Sequence, residues 1–165
     1  MNQPDIYQQE WCKDLIKRLG RYKEIQSRLE VLVTILDRQG LKVGSAGVAR
    51  YGGIESPGTG LGSVSNEEWE HREKSYEIRF IGAALNSLTE MDRAIINWRY
   101  IEKMNDAHIY DIHLPEKFKK YIGKTMYYDR KAEALKTMGR CLGYDECLRK
   151  RTENGLKPDK NRNIG

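Results

Sequence analysis

Residues 120–131 hold the densest set of groups able to do chemistry: Lys120, Lys124, Thr125, Met126, Tyr127, Arg130 and Lys131. Cationic donors and hydroxyls at this spacing suit a polyanion rather than a reaction. Lys124 and Thr125 fall where phosphate contacts form. Tyr127, Arg130 and Lys131 fall where side chains can reach base edges, with Lys120 and Met126 beside them. No catalytic constellation competes. There is no G-x-S-x-G elbow, and Cys12, Cys141 and Cys147 have no acid–base partner nearby in sequence. Asp106, His108, Asp111 and His113 lie close together, but without H-E-x-x-H spacing or a shared helical face, so a metal role is not expected. The glycines form neither phosphate-binding fingerprint. No enzyme and no cofactor are expected.

Such donors need a rigid mount. Glu116 to Ile122 reads as a short helix with Phe118, Tyr121 and Ile122 turned inward. Gly123 and Lys124 break it, glycine supplying the positive φ of a tight turn. Thr125 then caps a helix from Met126 to about Leu142. Its apolar side is expected at Tyr128, Ala132, Leu135 and Leu142, with Met126, Arg130, Glu133 and Thr137 roughly opposite. Two helices joined by a tight turn, the second one two-faced, predict a helix-turn-helix. Its second helix would present its leading end to a major groove.

Upstream, Trp11, Leu15, Leu19, Tyr22, Ile25, Leu29, Leu32 and Leu36 recur every three or four residues. They predict a long amphipathic helix closed by Gly40. Gly20 weakens it by roughly 1 kcal/mol relative to Ala without ending it. Its stripe could pair with a second copy of the chain, giving a homodimer through the N-terminal helix, or pack on its own domain. Residues 40–65 contain more than half of the chain's 15 glycines and read as a flexible linker. Ser65 and Glu68 form a capping box for a helix reaching Asn86, with Trp69, Tyr76, Phe80, Ala83 and Ala84 along one side. Thr89 caps another that fades near Lys103. Pro115 can open the helix after it. The division is residues 1–39, an oligomerisation or partner helix; 40–65, a linker; 66–146, a helical DNA-binding domain; and 147–165, a basic tail.

The fold class is therefore all-α. From Glu116 onward there are 14 basic and 7 acidic residues, although the whole chain carries only +5. A basic end on a near-neutral body is the footprint of a polyanion partner. The tail (Arg149, Lys150, Arg151, Lys157, Lys160, Arg162) adds salt-sensitive attraction. The odd cysteine count, the lack of a signal peptide and the lack of an apolar spanning segment predict a cytoplasmic protein with no membrane partner.

Residues 84–100, ALNSLTEMDRAIINWRY, resemble the opening of sigma-factor region 4, usually A-L-x-x-L-P-E-R-E-R-x-I-I-x-L-R-Y. Thr89 stands for the usual Pro and Trp98 for the usual Leu. Residues 125–135, TMYYDRKAEAL, are similar to the recognition helix of that region. Asn105 to Tyr121 does not match its usual E-I-A-x-x-L helix, and region 2 has no counterpart here. The layout of long helix, linker and region-4-like end looks like phage and prophage late-gene regulators of the ArpU/RinA type. The resemblance implies a regulator, an activator of phage late genes, that binds double-stranded promoter DNA and engages RNA polymerase in the bacterial host. The alternatives are a terminase small subunit, which recognises DNA for packaging, and a helical protein-interaction module.

Overall fold

A computed structural model describes residues 5–41 and 65–144; every regular element among them is helical. A 3-10 turn, Ile6–Gln8, is capped by the Asp5 carboxylate. Helix α1, Glu10–Gly20, follows and buries Trp11, Cys12, Leu15 and Leu19. The long N-terminal helix is bent rather than continuous. Arg21 (φ −95°, ψ −4°) interrupts it, and α2 runs over Tyr22–Arg38. Gly20, the weakest helix former in that stretch, is the last residue before the break. Gly40 has φ +77°; its N–H bonds to the Asp37 carbonyl and that of Leu41 to Leu36, the paired bonds of a glycine-terminated helix.

Helix α3, Asn66–Asn86, begins at the expected capping box, with both reciprocal Ser65–Glu68 bonds formed. It packs along α2. Tyr22 lies beside Gly82 and Arg28 pairs with Glu70, so the two helices run antiparallel, while Arg18 on α1 pairs with Glu77. The face expected to be inward is turned out. Trp69, Tyr76 and Phe80 are 64%, 58% and 58% exposed, and Ala83 is exposed too. His71, Ile81, Ala84 and Leu85 are buried instead, so of that predicted side only Ala84 faces the core. The small residues Gly82 and Ala84 let a neighbour approach closely; the Tyr22 hydroxyl lies 3.9 Å from where a Cβ on Gly82 would stand. The apolar stripe of α1 and α2 is thus covered within the chain: Trp11, Leu15, Leu19, Ile25, Leu32 and Leu36 are all buried. A dimer through the N-terminal helix loses the surface on which it was expected.

Helix α4, Glu90–Ile96, is capped by Thr89, whose hydroxyl accepts from the Asp92 N–H. A wide π-turn, Asn97–Ile101, extends it. Lys103 (φ +57°) turns the chain, and the Asn105 side chain caps a further helical run. That run consists of α5 (Asp106–His108), a second π-turn (Ile109–His113) and α6 (Leu114–Phe118). It corrects the expectation of a helix over 116–122: the helical run starts ten residues earlier and ends four earlier. Pro115, near the start of α6, therefore continues a helix rather than opening one. Its ring lacks an N–H and crowds the carbonyl four residues back, and the wide turn immediately before it relaxes that crowding.

Helix α7, Lys124–Cys141, joins two cores. Its leading end supplies Tyr127 to a small core with Ile95, Ile109, Leu114 and Ile122. Its trailing part supplies Ala134, Leu135 and Met138 to a larger core with Trp11, Leu15, Leu19, Ile81, Ala84 and Tyr100. A Cβ on Gly139 would lie 2.8 Å from Trp11 Cζ3, so the absent side chain is what lets α1 close on α7.

Candidate nucleic-acid interface

The residues expected to meet a polyanion lie on the segment between α6 and α7 and on the leading end of α7. The helix stops at Phe118 because Lys119 takes a left-handed conformation (φ +52°), its N–H reaching back to the Pro115 carbonyl. The positive φ expected at Gly123 is therefore at Lys119. Gly123 has φ −66° and ψ 157° and is itself the residue before α7. Thr125 is not the cap but the second residue of the helix. No side chain caps α7, which leaves its first N–H groups available to an anion at the positive end of the helix dipole.

Ile122 is 2% exposed and pins the turn into the small core. Tyr121, expected beside it, is 70% exposed instead. Lys119, Lys120, Lys124, Thr125, Met126 and Tyr128 are also exposed, so cationic, hydroxyl and apolar groups flank buried Ile122 and Tyr127 along the turn and the start of α7. Of the expected residues, Lys120, Lys124, Thr125 and Met126 are thus brought together on the outside.

Tyr127 and Lys131 are corrections. Tyr127 is fully buried and Lys131 is 5% exposed, so neither can meet a base. They open the inner stripe of α7, which continues through Ala134, Leu135 and Met138 at helical spacing. The predicted stripe began at Tyr128; a shift of one residue turns a helix face by about 100°. Lys131 is held in the interior by Asp106. One carboxylate oxygen of Asp106 accepts from the Tyr127 hydroxyl at 2.5 Å and the Lys131 ammonium at 3.0 Å. Arg99 Nε lies 3.2 Å from the same oxygen as an ion pair. The ammonium also faces the rings of Tyr128, Tyr127 and Tyr7 at 4.6, 5.4 and 5.6 Å.

The electrostatics follow from this packing. Burial pushes the Asp106 carboxyl up, but the hydrogen bonds from Tyr127 and Lys131 and the charges of Lys131 and Arg99 prevail and hold it below its ordinary range. Burial lowers Lys131 and outweighs the bridge to Asp106, which acts the other way. Burial, then the neighbouring Asp106, raises Tyr127, which stays a protonated donor. The cluster ties the start of the first helical run to the second turn of α7, and so sets the angle between the two helices.

Arg130 is half-buried and committed. Its Nε lies 2.9 Å from Asp92 Oδ1 and its Nη2 donates to the Thr89 hydroxyl at 3.4 Å, clamping α7 to the start of α4. Lys117 pairs with Glu90 at 3.6 Å and lies over the Trp98 and Phe118 rings. Lys119, Tyr121 and Tyr128 are exposed beside the expected residues; for Lys119 the available signal was the lysine pair 119–120 next to a tyrosine.

Two of the four acidic and histidine residues at positions 106, 108, 111 and 113 have other partners. Asp106 serves Lys131, and the His113 ring packs on Trp98 at 5.3 Å. Burial, then Asp5, pushes the Cys12 thiol up to about 11, and Cys141 Sγ contacts the Ser87 hydroxyl. No helix among the described residues is long and apolar enough to cross a membrane. The bulk of the linker (residues 42–64), Cys147 and the basic tail lie outside the described residues.

Compared with known proteins, the chain matches no protein-family model, no curated protein and no solved structure.

Proposed function

We propose that this protein is a sequence-specific regulator of transcription that places the leading end of α7 in the major groove of double-stranded DNA. The observation that carries the reading is the division of that helix. Its inner face is locked to the preceding helical run by Asp106, Tyr127 and Lys131. Its outer face, with the turn before it, leaves Lys119, Lys120, Lys124, Thr125 and Met126 exposed. Rigid support under a free leading end is what groove reading requires. Lys119, Lys120 and Lys124 hold phosphates; Thr125, Met126 and Tyr128 meet base edges. The resemblance to sigma region 4 and to phage late-gene regulators supports activation of late genes inside a bacterial host, through contact with RNA polymerase.

Selection from a random duplex library at near-physiological salt tests the reading. A defined motif should be enriched, and Thr125→Ala should change its base preferences. Lys124→Ala should instead weaken all sequences alike and reduce the slope of log affinity against log salt by about 1. Salt-sensitive binding with no motif would reject sequence-specific regulation and favour general phosphate binding, as in packaging. No affinity at all would reject the nucleic-acid reading.

A further inference from the structure

Helix α3 has a face that nothing in the described chain covers. Trp69, Tyr76, Phe80 and Ala83 are all exposed and recur at seven-, four- and three-residue steps, which places them in one stripe. The buried residues Ile81 and Leu85 lie on the other side of the helix. From Trp69 to Ala83 the stripe is about 21 Å long at 1.5 Å per residue. Three aromatic rings more than half exposed on one face of a small helical protein are unusual; scattered single apolar residues would need no explanation, but a contiguous patch does.

We propose that this face pairs with the same face of a second copy of the chain, antiparallel, about a two-fold axis at Tyr76. The spacing of the stripe is self-complementary about that point. Seven residues to either side stand Trp69 and Ala83, so the large indole of one copy meets the small side chain of the partner's Ala83. Three residues to either side stand Glu73 and Arg79, both exposed, so opposite charges come to the same height. A parallel pairing would set Trp69 against the partner's Trp69 and Arg79 against the partner's Arg79, placing bulk on bulk and like charge on like charge. Isologous two-fold contacts are the commonest way for identical chains to associate.

The area suffices. An aromatic side chain buries 150–250 Å² when fully covered, so three that are about 60% exposed offer roughly 300–450 Å² per copy. Two copies bury roughly 600–900 Å² through the rings alone, and Ala83, Glu73 and Arg79 bring the total to about the 1,000 Å² where specific interfaces begin. An interface of that size gives a reversible dimer rather than an obligate one.

Sedimentation equilibrium of the full chain without DNA tests this separately from any nucleic-acid function. The expected result is a concentration-dependent rise from 19.2 kDa toward twice that mass. Tyr76→Arg should hold the protein at the monomer mass with unchanged far-ultraviolet circular dichroism, since the side chain is 58% exposed and belongs to neither core among the described residues. Glu73→Arg should weaken association, and adding Arg79→Glu should restore it. A chain that stays monomeric up to about 100 μM would overturn the proposal. So would a dimer indifferent to Tyr76→Arg, or a charge exchange that restores nothing.

Discussion

Replacing Asp106 with alanine removes the carboxylate that pairs with the ammonium of Lys131 among the described residues, while that ammonium stays in the interior with 6% of its side chain exposed. The Tyr127 hydroxyl loses its acceptor at the same time. Breaking a buried ion pair on one side costs about 3–5 kcal/mol, because the surviving charge is left uncompensated. The three tyrosine rings around Lys131 still face the ammonium and leave it partly compensated, which puts the cost at the low end of that range. A loss of about 3 kcal/mol is therefore expected. With a urea dependence of about 2 kcal/mol per M for a chain of this size, the unfolding midpoint should fall by about 1.5 M. Adding Lys131→Met removes the stranded buried charge and leaves the tyrosine hydroxyl without its acceptor, a cost of about 1–3 kcal/mol, and the partly exposed Arg99 without that carboxylate. The double variant should therefore be more stable than Asp106→Ala alone. A single variant within about 0.5 kcal/mol of the parent, or a double variant as unstable as the single, would refute the account of Lys131 as a core residue held by Asp106.

Gly139→Ala should destabilise the protein despite improving helix propensity. The new methyl would sit 2.8 Å from Trp11, and overpacking of about 1–3 kcal/mol outweighs a propensity gain of about 1 kcal/mol; thermal melting reads the difference. His71 is buried and its imidazole is pushed below the ordinary value of 6.5 by desolvation. The unfolded chain therefore takes up the proton first. Stability should be complete above pH 6.5 and decline as pH falls below it, and His71→Gln should flatten that segment of the profile, measured by urea unfolding.

What was legible in the sequence was mostly local. Ser65 with Glu68, Thr89 and Gly40 act on backbone groups within a few residues, so their spacing alone announces them. The all-helical class followed from periodicity. Choosing which face is buried did not. On α3 the eye follows Trp69, Tyr76 and Phe80, but the face that packs combines Ile81 and Leu85 with small Ala84, and smallness carries no periodic signal. On α7 adjacent tyrosines offered two registers, and only Tyr127 meets a core assembled from α4 and the run 106–118. Lys131 reads as a surface cation until Asp106, 25 residues earlier, is seen beside it. The first helical run was obscured by the wide turn over Ile109–His113, which breaks the regular apolar spacing, and by Pro115, which that turn accommodates. Within the candidate interface, Lys120, Lys124, Thr125 and Met126 were legible because exposed cations and small polar groups beside a turn need no distant partner.

The closure of α1 on α7 bears on how the protein is made. Trp11 waits for Gly139, and Arg18 waits for the Tyr144 hydroxyl 126 residues later. While the chain emerges from the ribosome, the first helix has its apolar side ready but its partner not yet synthesised. Contacts of such long sequence separation form late and slowly. The larger core can close fully only after residue 139 has cleared the exit tunnel, so a chain stalled or cleaved before that point leaves Trp11 without the helix that covers it, a ready substrate for chaperones and proteases.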